Sequence, residues 1–247
     1  RRSSDLLTPL VGSTCAGIRL DVLVGGGGMS ALFRGHHVRL GTPVAVKVLL
    51  PALQAEPGLA ERFEIEARIG ANVLHPHIAR TLDLFDDDGY KLIVMEWLDG
   101  ENLSCRLRRG RAAVDEALFL FEGICAGLGA AHRSGVVHRD VKPANIFLAE
   151  TTAGQTVKLL DFGISKLFHA DHGLTRTGMF MGTPPYMSPE QLASTRDVTQ
   201  VTDVYSAGLV LYEMLTGHNP FQGGPPNAVA IRVATMPLPP HPDIPDR

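Results

Sequence analysis

The sequence predicts an α+β fold, on three observations. Up to about residue 96, apolar residues alternate in short runs parted by glycine-rich or acidic turns, as in an antiparallel sheet, with one helical stretch from Leu59 to Val73. From Asp115 the apolar period becomes helical, over 115–133 and again up to Leu215. With 247 residues, 45% of them hydrophobic and 20% charged, the chain can bury a large core, as one domain or two lobes.

Residues 1–17 mix Ser, Thr, Pro and Gly without a sustained period and read as a flank. Ile18 opens a strand that runs into Gly25-Gly26-Gly27-Gly28-Met29-Ser30, and a second strand spans about Ala31 to Gly35, so the glycines read as a hairpin turn. Such glycines let a backbone approach phosphate oxygens and offer them its N–H groups. Val44–Leu49 alternates as a strand, with Ala45, Lys47 and Leu49 on one face and three valines on the other. Lys47 thus points inward and needs an anion, because an unpaired buried ammonium is costly. Leu59, Phe63, Glu66 and Gly70 fall on one helical face, which sets a carboxylate in an apolar stripe; Lys47 and Glu66 explain each other.

His75-Pro76-His77 ends that helix as a turn rather than a metal site. Strands follow near 78–85 and 91–96, joined by an Asp86-Asp87-Asp88-Gly89 turn. Over 115–133 the apolar set Leu118, Phe121, Ile124, Cys125 and Leu128 predicts the buried face of a helix, with acids in its first turn and Ser134-Gly135 as its stop. Asn145–Leu148 and Val157–Leu160 read as a short hairpin leading to Asp161-Phe162-Gly163. Residues 163–190 lack an apolar period and read as a long loop, of the kind that tends to be functional. A helix runs to Leu215 and a short one spans 228–234, before a Pro-rich tail.

The formal net charge of −3 and a pI near 6.4 give no field that would attract nucleic acid or an acidic membrane. Cys15, Cys105 and Cys125 are widely spaced, without a Cys-x-x-Cys pair, which fits a reducing compartment and inert thiols. No run of 18 apolar residues occurs and the opening residues lack a secretory segment, so a cytoplasmic chain is expected, with any tether outside it.

The chemistry concentrates in Val136–Asn145. Asp140, Lys142 and Asn145 offer a proton acceptor, a cation and a neutral metal-ligand oxygen in one short loop, a trio that suits phosphoryl transfer. This loop resembles the His-Arg-Asp loop of protein kinases. In the order that family keeps, the sequence also has Gly25 and Gly27 with Ser30 in the third glycine's place, Lys47 and Glu66, Asp161-Phe162-Gly163, Gly182 to Ser188-Pro189-Glu190, and Asp203. The resemblance covers about residues 18–236 and is to bacterial, eukaryotic-like (Hanks-type) serine/threonine kinases.

It implies a two-lobed fold, a small antiparallel sheet with one helix over 18–96 and a mainly helical lobe over 97–247, with ATP and Mg²⁺ as cofactors. Val24, Gly25, Gly27, Gly28, Leu32, Ala45, Lys47, Met95 as gatekeeper, Glu96, Leu98 and Phe147 would bind the nucleotide. Lys47, held by Glu66, would meet the α/β-phosphates; Asn145 and Asp161 would hold the metal; Asp140 would be the base and Lys142 would neutralise charge. Arg139 would pair with phosphate on Thr175 or Thr177, and Thr183 would contact the catalytic loop. Protein substrates are implied, with a homodimer as one route to autophosphorylation. Two readings compete: a pseudokinase, favoured by Ser30 and by Gly70 and Thr81 in a column that is otherwise hydrophobic, and a metabolite kinase, disfavoured by the long 163–190 loop. The helix at 204–215 is apolar nearly all round and no arginine is placed to pair with Glu190, so the sequence reading expects the end of the domain to be missing.

Overall fold

The computed structural model describes residues 10–26, 30–50, 58–162, 184–193 and 198–241. They form two compact units, residues 10–74 with 79–99, and residues 75–78 with 100–241.

The first unit is a six-stranded antiparallel sheet in the order β1-β2-β3-β4-β6-β5, with one helix. The strands are β1 (Thr14–Cys15), β2 (Ile18–Gly26), β3 (Ser30–His37), β4 (Pro43–Leu49), β5 (Thr81–Asp87) and β6 (Tyr90–Glu96); the helix is α1 (Leu59–Asn72). The expected flank is in part structural: Thr14 and Cys15 pair with Arg19 and Ile18, and Leu10 and Cys15 are buried. Gly25, Gly26 and Ser30 lie in the strands rather than in the turn. The acidic run is likewise shorter as a turn than its composition implies. Asp86 and Asp87 extend β5, and only Asp88 and Gly89 turn, both with positive φ.

Alternation along β4 divides the core. Val44, Val46 and Val48 join Leu20, Phe33, Leu92 and Val94 on one sheet face, while Leu49 and Ile93 meet Phe63 and Ala67 of α1 on the other. Each buried valine contributes roughly 1.5–3 kcal/mol. A one-residue slip would put Lys47 in their place, which fixes the register. Gly70 of α1 lies against Thr81 of β5, where a Cβ would collide with the Thr81 hydroxyl, so the two residues fill one space between them.

The second unit holds β7 (Gly100–Asn102), α2 (Leu103–Leu107), α3 (Val114–Arg133), β8 (Ile146–Thr151), β9 (Gly154–Leu159), α4 (Pro189–Ala193), α5 (Val201–Thr216) and α6 (Pro226–Thr235). β7, β8 and β9 make a small antiparallel sheet. On α3 the expected buried face needs correction. Leu118 and Cys125 are exposed and Phe121 is half-buried, whereas Ala117, Leu120, Gly123, Ile124, Gly127, Leu128 and Ala131 point inward. The helix packs on β9 so closely that small residues carry the contact: a Cβ on Gly123 would press on Val157, and one on Gly127 on Leu159 and the His77 carbonyl. α5 buries Leu209, Val210 and Met214 but leaves Val201 and Val204 exposed. No described helix is long and apolar enough to cross a membrane.

Candidate active site

In the first unit, the sheet register sets Leu32 opposite Lys47 and Ala45 opposite Met95, so these four share the face that carries Leu49. Strand β4 aims Lys47 at α1, and Lys47 Nζ lies 2.5 Å from Glu66 Oε1 with the side chains only 16% and 21% exposed. Each charge there replaces part of the water that the other has lost, by a charge-assisted hydrogen bond. Gly25 stands opposite Leu32, and Val24 next to it is half exposed. Gly27 and Gly28 lie outside the described residues. Glu96 ends β6: its N–H donates to Arg80 O (3.0 Å) and its carboxylate accepts the Arg80 N–H (2.8 Å). Leu98, half-buried, follows outside any strand. Arg34 stacks over the Trp97 ring at 4.9 Å, a contact without a signal in the sequence.

In the second unit, residues 136–142 belong to no helix or strand, and Asp203, in the first turn of α5, holds them. Its fully buried carboxylate accepts the N–H groups of His138 and Arg139, each at 2.8 Å, and the His132 Nε2–H at 2.7 Å. His138 is buried too. Its Nε2–H donates to Leu160 O (3.0 Å), its Nδ1 accepts the Asp140 N–H (3.3 Å), and its ring lies 4.8 Å from that of Phe162. Burial holds the imidazole pKa below its ordinary value, against the pull of Asp203 and Asp140, so the ring is neutral.

Asp140 Oδ2 accepts from Lys142 Nζ (2.7 Å) and from Asn145 Nδ2 (2.9 Å), and the same amide nitrogen reaches the Asp140 carbonyl (3.0 Å). Pro143–Asn145 is one turn of 3-10 helix, started by a proline whose φ is already set. With its nitrogen turned to Asp140, Asn145 has Oδ1 left for a cation. Asp161, just after β9, supplies a second oxygen donor, and such hard oxygens suit a small divalent ion. Asp161 and Arg139 have φ of 47° and 65°, left-handed backbone that costs a non-glycine residue roughly 1–2 kcal/mol and persists only where surrounding bonds enforce it. Phe147, half-buried on β8, stands opposite Asn102 and Lys158. Arg139 is partly buried, and burial lowers its pKa. Thr175, Thr177 and Thr183 lie outside the described residues.

Sequence reasoning passed over two residues of this group, His132 and Gln191, and gave His138 only as a member of the His-Arg-Asp motif, without its contacts. His132 binds Asp203 with no motif of its own. Gln191 donates from Nε2 to Arg139 O (2.9 Å), and the Ser188-x-x-Gln191 spacing that places it is a capping-box pattern legible in the sequence. His77, expected in a turn, also binds Val157 O through Nδ1 at 2.9 Å.

Residues 18–238 match the protein kinase domain family. The chain is 39% identical over 219 residues to the serine/threonine-protein kinase pkn2 of Myxococcus xanthus, covering 87% of this chain and 26% of that protein. It is 42% identical over 214 residues to Pkn1 of the same organism, covering 86% and 31%. To PknA of Mycobacterium tuberculosis it is 42% identical over 247 residues, covering 97% and 56%. The chain thus spans from about a quarter to just over half the length of these relatives. A match over this much of the chain, with a strand lysine paired to a helix glutamate and an Asp-Lys-Asn loop anchored on a buried aspartate, means that the chain belongs to the protein kinase family, in the Hanks-type branch of these bacterial relatives.

Proposed function

We propose that the chain transfers the γ-phosphoryl group of ATP to Ser and Thr hydroxyls of protein substrates. The Asp140–Lys142–Asn145 group carries this reading, because Lys142 Nζ and Asn145 Nδ2 both donate to the Asp140 carboxylate, which joins an acceptor to a cation and turns the Asn145 amide oxygen away from it. In the reaction the substrate oxygen bonds to the γ-phosphorus as the bond to the β–γ bridging oxygen breaks. ADP leaves, and Asp140 takes the hydroxyl proton. Lys142 offsets charge on the transferring group, and Lys47, steadied by Glu66, holds the α/β-phosphates. Asn145 Oδ1 and Asp161 would hold Mg²⁺, which would supply charge neutralisation to the phosphates. The adenine is assigned to backbone groups of Glu96 and Leu98, among Val24, Leu32, Ala45, Met95 and Phe147, with the glycine run on the phosphates. Phosphate on Thr175 or Thr177 would add about −1.5 to −2 charge for Arg139 to hold, and a homodimer phosphorylating in trans would supply it.

Asp140→Asn tests the reading. Purified with Mg·ATP and casein as acceptor, the variant should lose about 10²- to 10⁴-fold in transfer rate, the usual contribution of a general base, while still binding nucleotide. Transfer at the wild-type rate would remove Asp140 from the mechanism.

A further inference from the structure

We propose that Gln191 is a positioning residue of the catalytic loop: its side-chain amide holds the Arg139 carbonyl and so fixes the peptide that leads into Asp140. This deepens the kinase reading and rests on it. The hydrogen bonds form a closed circuit. Gln191 Nε2 donates to Arg139 O at 2.9 Å, its Oε1 accepts the Ser188 N–H at 3.2 Å, and its own N–H donates to Ser188 Oγ at 3.3 Å. The Ser188 hydroxyl lies 2.6 Å from that of Thr202, and the next residue, Asp203, returns to Arg139 by accepting its N–H at 2.8 Å. Ser188, Thr202 and Asp203 are fully buried and Gln191 is only 8% exposed, so water does not compete for these bonds.

The gripped peptide is one that cannot hold itself. Arg139 has a φ of 65°, which its side chain disfavours. Asp203 holds the N–H side of that residue, while its ψ sets the plane of the peptide that leads into Asp140. The other polar group of the Arg139–Asp140 peptide, the Asp140 N–H, makes a 3.3 Å bond to His138 Nδ1, a long one. The bond from Gln191, at 2.9 Å, is the shorter of these two restraints on that plane. Ser188 and the cap of α4 keep the glutamine in place, and the reciprocal serine–glutamine pairing is what a capping box provides.

Two variants separate the amide's donation from its bulk. Gln191→Glu keeps the shape and the acceptor for Ser188 N–H but sets an oxygen against Arg139 O at neutral pH; Gln191→Met keeps bulk and neither bond. With Mg·ATP and casein, both should lose about 10- to 100-fold in kcat, as expected for a catalytic group displaced by about 1 Å, with KM for ATP changed less than about twofold. For Gln191→Glu the deficit relative to wild type should shrink as pH falls toward about 5.5, because a carboxyl pressed on a carbonyl takes up a proton and can donate again. Gln191→Met should not recover. Hydrogen exchange over residues 136–146, read without turnover, should quicken in both variants at neutral pH while 114–133 keeps its protection. Wild-type kcat, unchanged exchange at 136–146, or a Gln191→Glu deficit that ignores pH would each overturn the role; if Gln191→Met does not fold, Gln191→Glu decides alone. Should the wild-type protein itself transfer no phosphate, it is the kinase reading that fails, and the exchange measurement still decides whether Gln191 holds the loop.

Discussion

The ring of His138 donates to Leu160 O through Nε2 and accepts the Asp140 N–H at Nδ1, two roles that only the neutral imidazole fills together. Because burial lowers its pKa, the unfolded chain takes up a proton near pH 6.5 that the native ring refuses. The sign follows from linkage: the contribution to stability is complete above the unfolded value and is lost as pH falls below it. The loss approaches about 1.4 kcal/mol per pH unit for one such proton. His75, lowered by burial and by the charges of His77, Arg133 and Lys158, adds to the same limb. Denaturant unfolding at pH 7.5, 6.5 and 5.5 (settings placed about the unfolded value) should show stability falling, and His138→Gln, which donates but does not titrate in this range, should flatten the fall. An unchanged slope in that variant would mean that His138 is not the group responsible.

Helix α3 shows at the next scale how packing overrides composition. Gly123 and Gly127 sit where a side chain would press on Val157, Leu159 and the His77 carbonyl, so the helix meets β9 through its smallest residues. Alanine favours a helix over glycine by about 1 kcal/mol, but forcing a methyl against a backbone oxygen costs typically 1–3 kcal/mol. Gly127→Ala should therefore destabilise by up to about 2 kcal/mol, whereas Gly129→Ala, whose methyl would meet only the tip of Arg133, should stabilise by roughly 0.5–1 kcal/mol. Chemical denaturation of the two variants measures both, and a stabilised Gly127→Ala would refute the close packing. The same helix marks the boundary of what sequence can tell. Its extent was legible from the apolar period and its acidic first turn, but its face was not, because Leu118 and Cys125 weigh more on any hydrophobic scale than Gly123 and Gly127, which are buried. The Lys47–Glu66 pair was legible because strand and helix periods each aimed one charge inward. The clamp of Asp203 on His138 and Arg139 joins residues more than sixty positions apart through backbone N–H groups, so it was legible only through the resemblance that sets Asp203 among the family's residues and not from period or spacing. The Gly70–Thr81 contact, which looks like a defect on a helical wheel, is complementary once β5 lies against α1.

Over the whole molecule the formal net charge is −3, so no long-range field draws in a polyanion such as ATP, and its binding must come from local cations and backbone N–H groups. That makes nucleotide affinity separable from transfer. A ligand that binds only the folded state adds about 2.7 kcal/mol of stability at a hundred times its Kd. For a chain of this size 1 kcal/mol moves the Tm by about 2–4 °C, so saturating Mg·ATP should raise it by roughly 5–10 °C. Lys47→Met removes the cation assigned to the α/β-phosphates and also leaves Glu66 without its 2.5 Å partner, so its own Tm should be lower and its nucleotide shift should shrink. Asp140→Asn keeps an oxygen for both Lys142 and Asn145 to meet, so its nucleotide shift should equal that of the wild type even as transfer is lost. Differential scanning fluorimetry of the three proteins, with and without Mg·ATP, decides between these expectations. A full shift in Lys47→Met would place the phosphates elsewhere, and a vanished shift in Asp140→Asn would make Asp140 a nucleotide contact rather than the base.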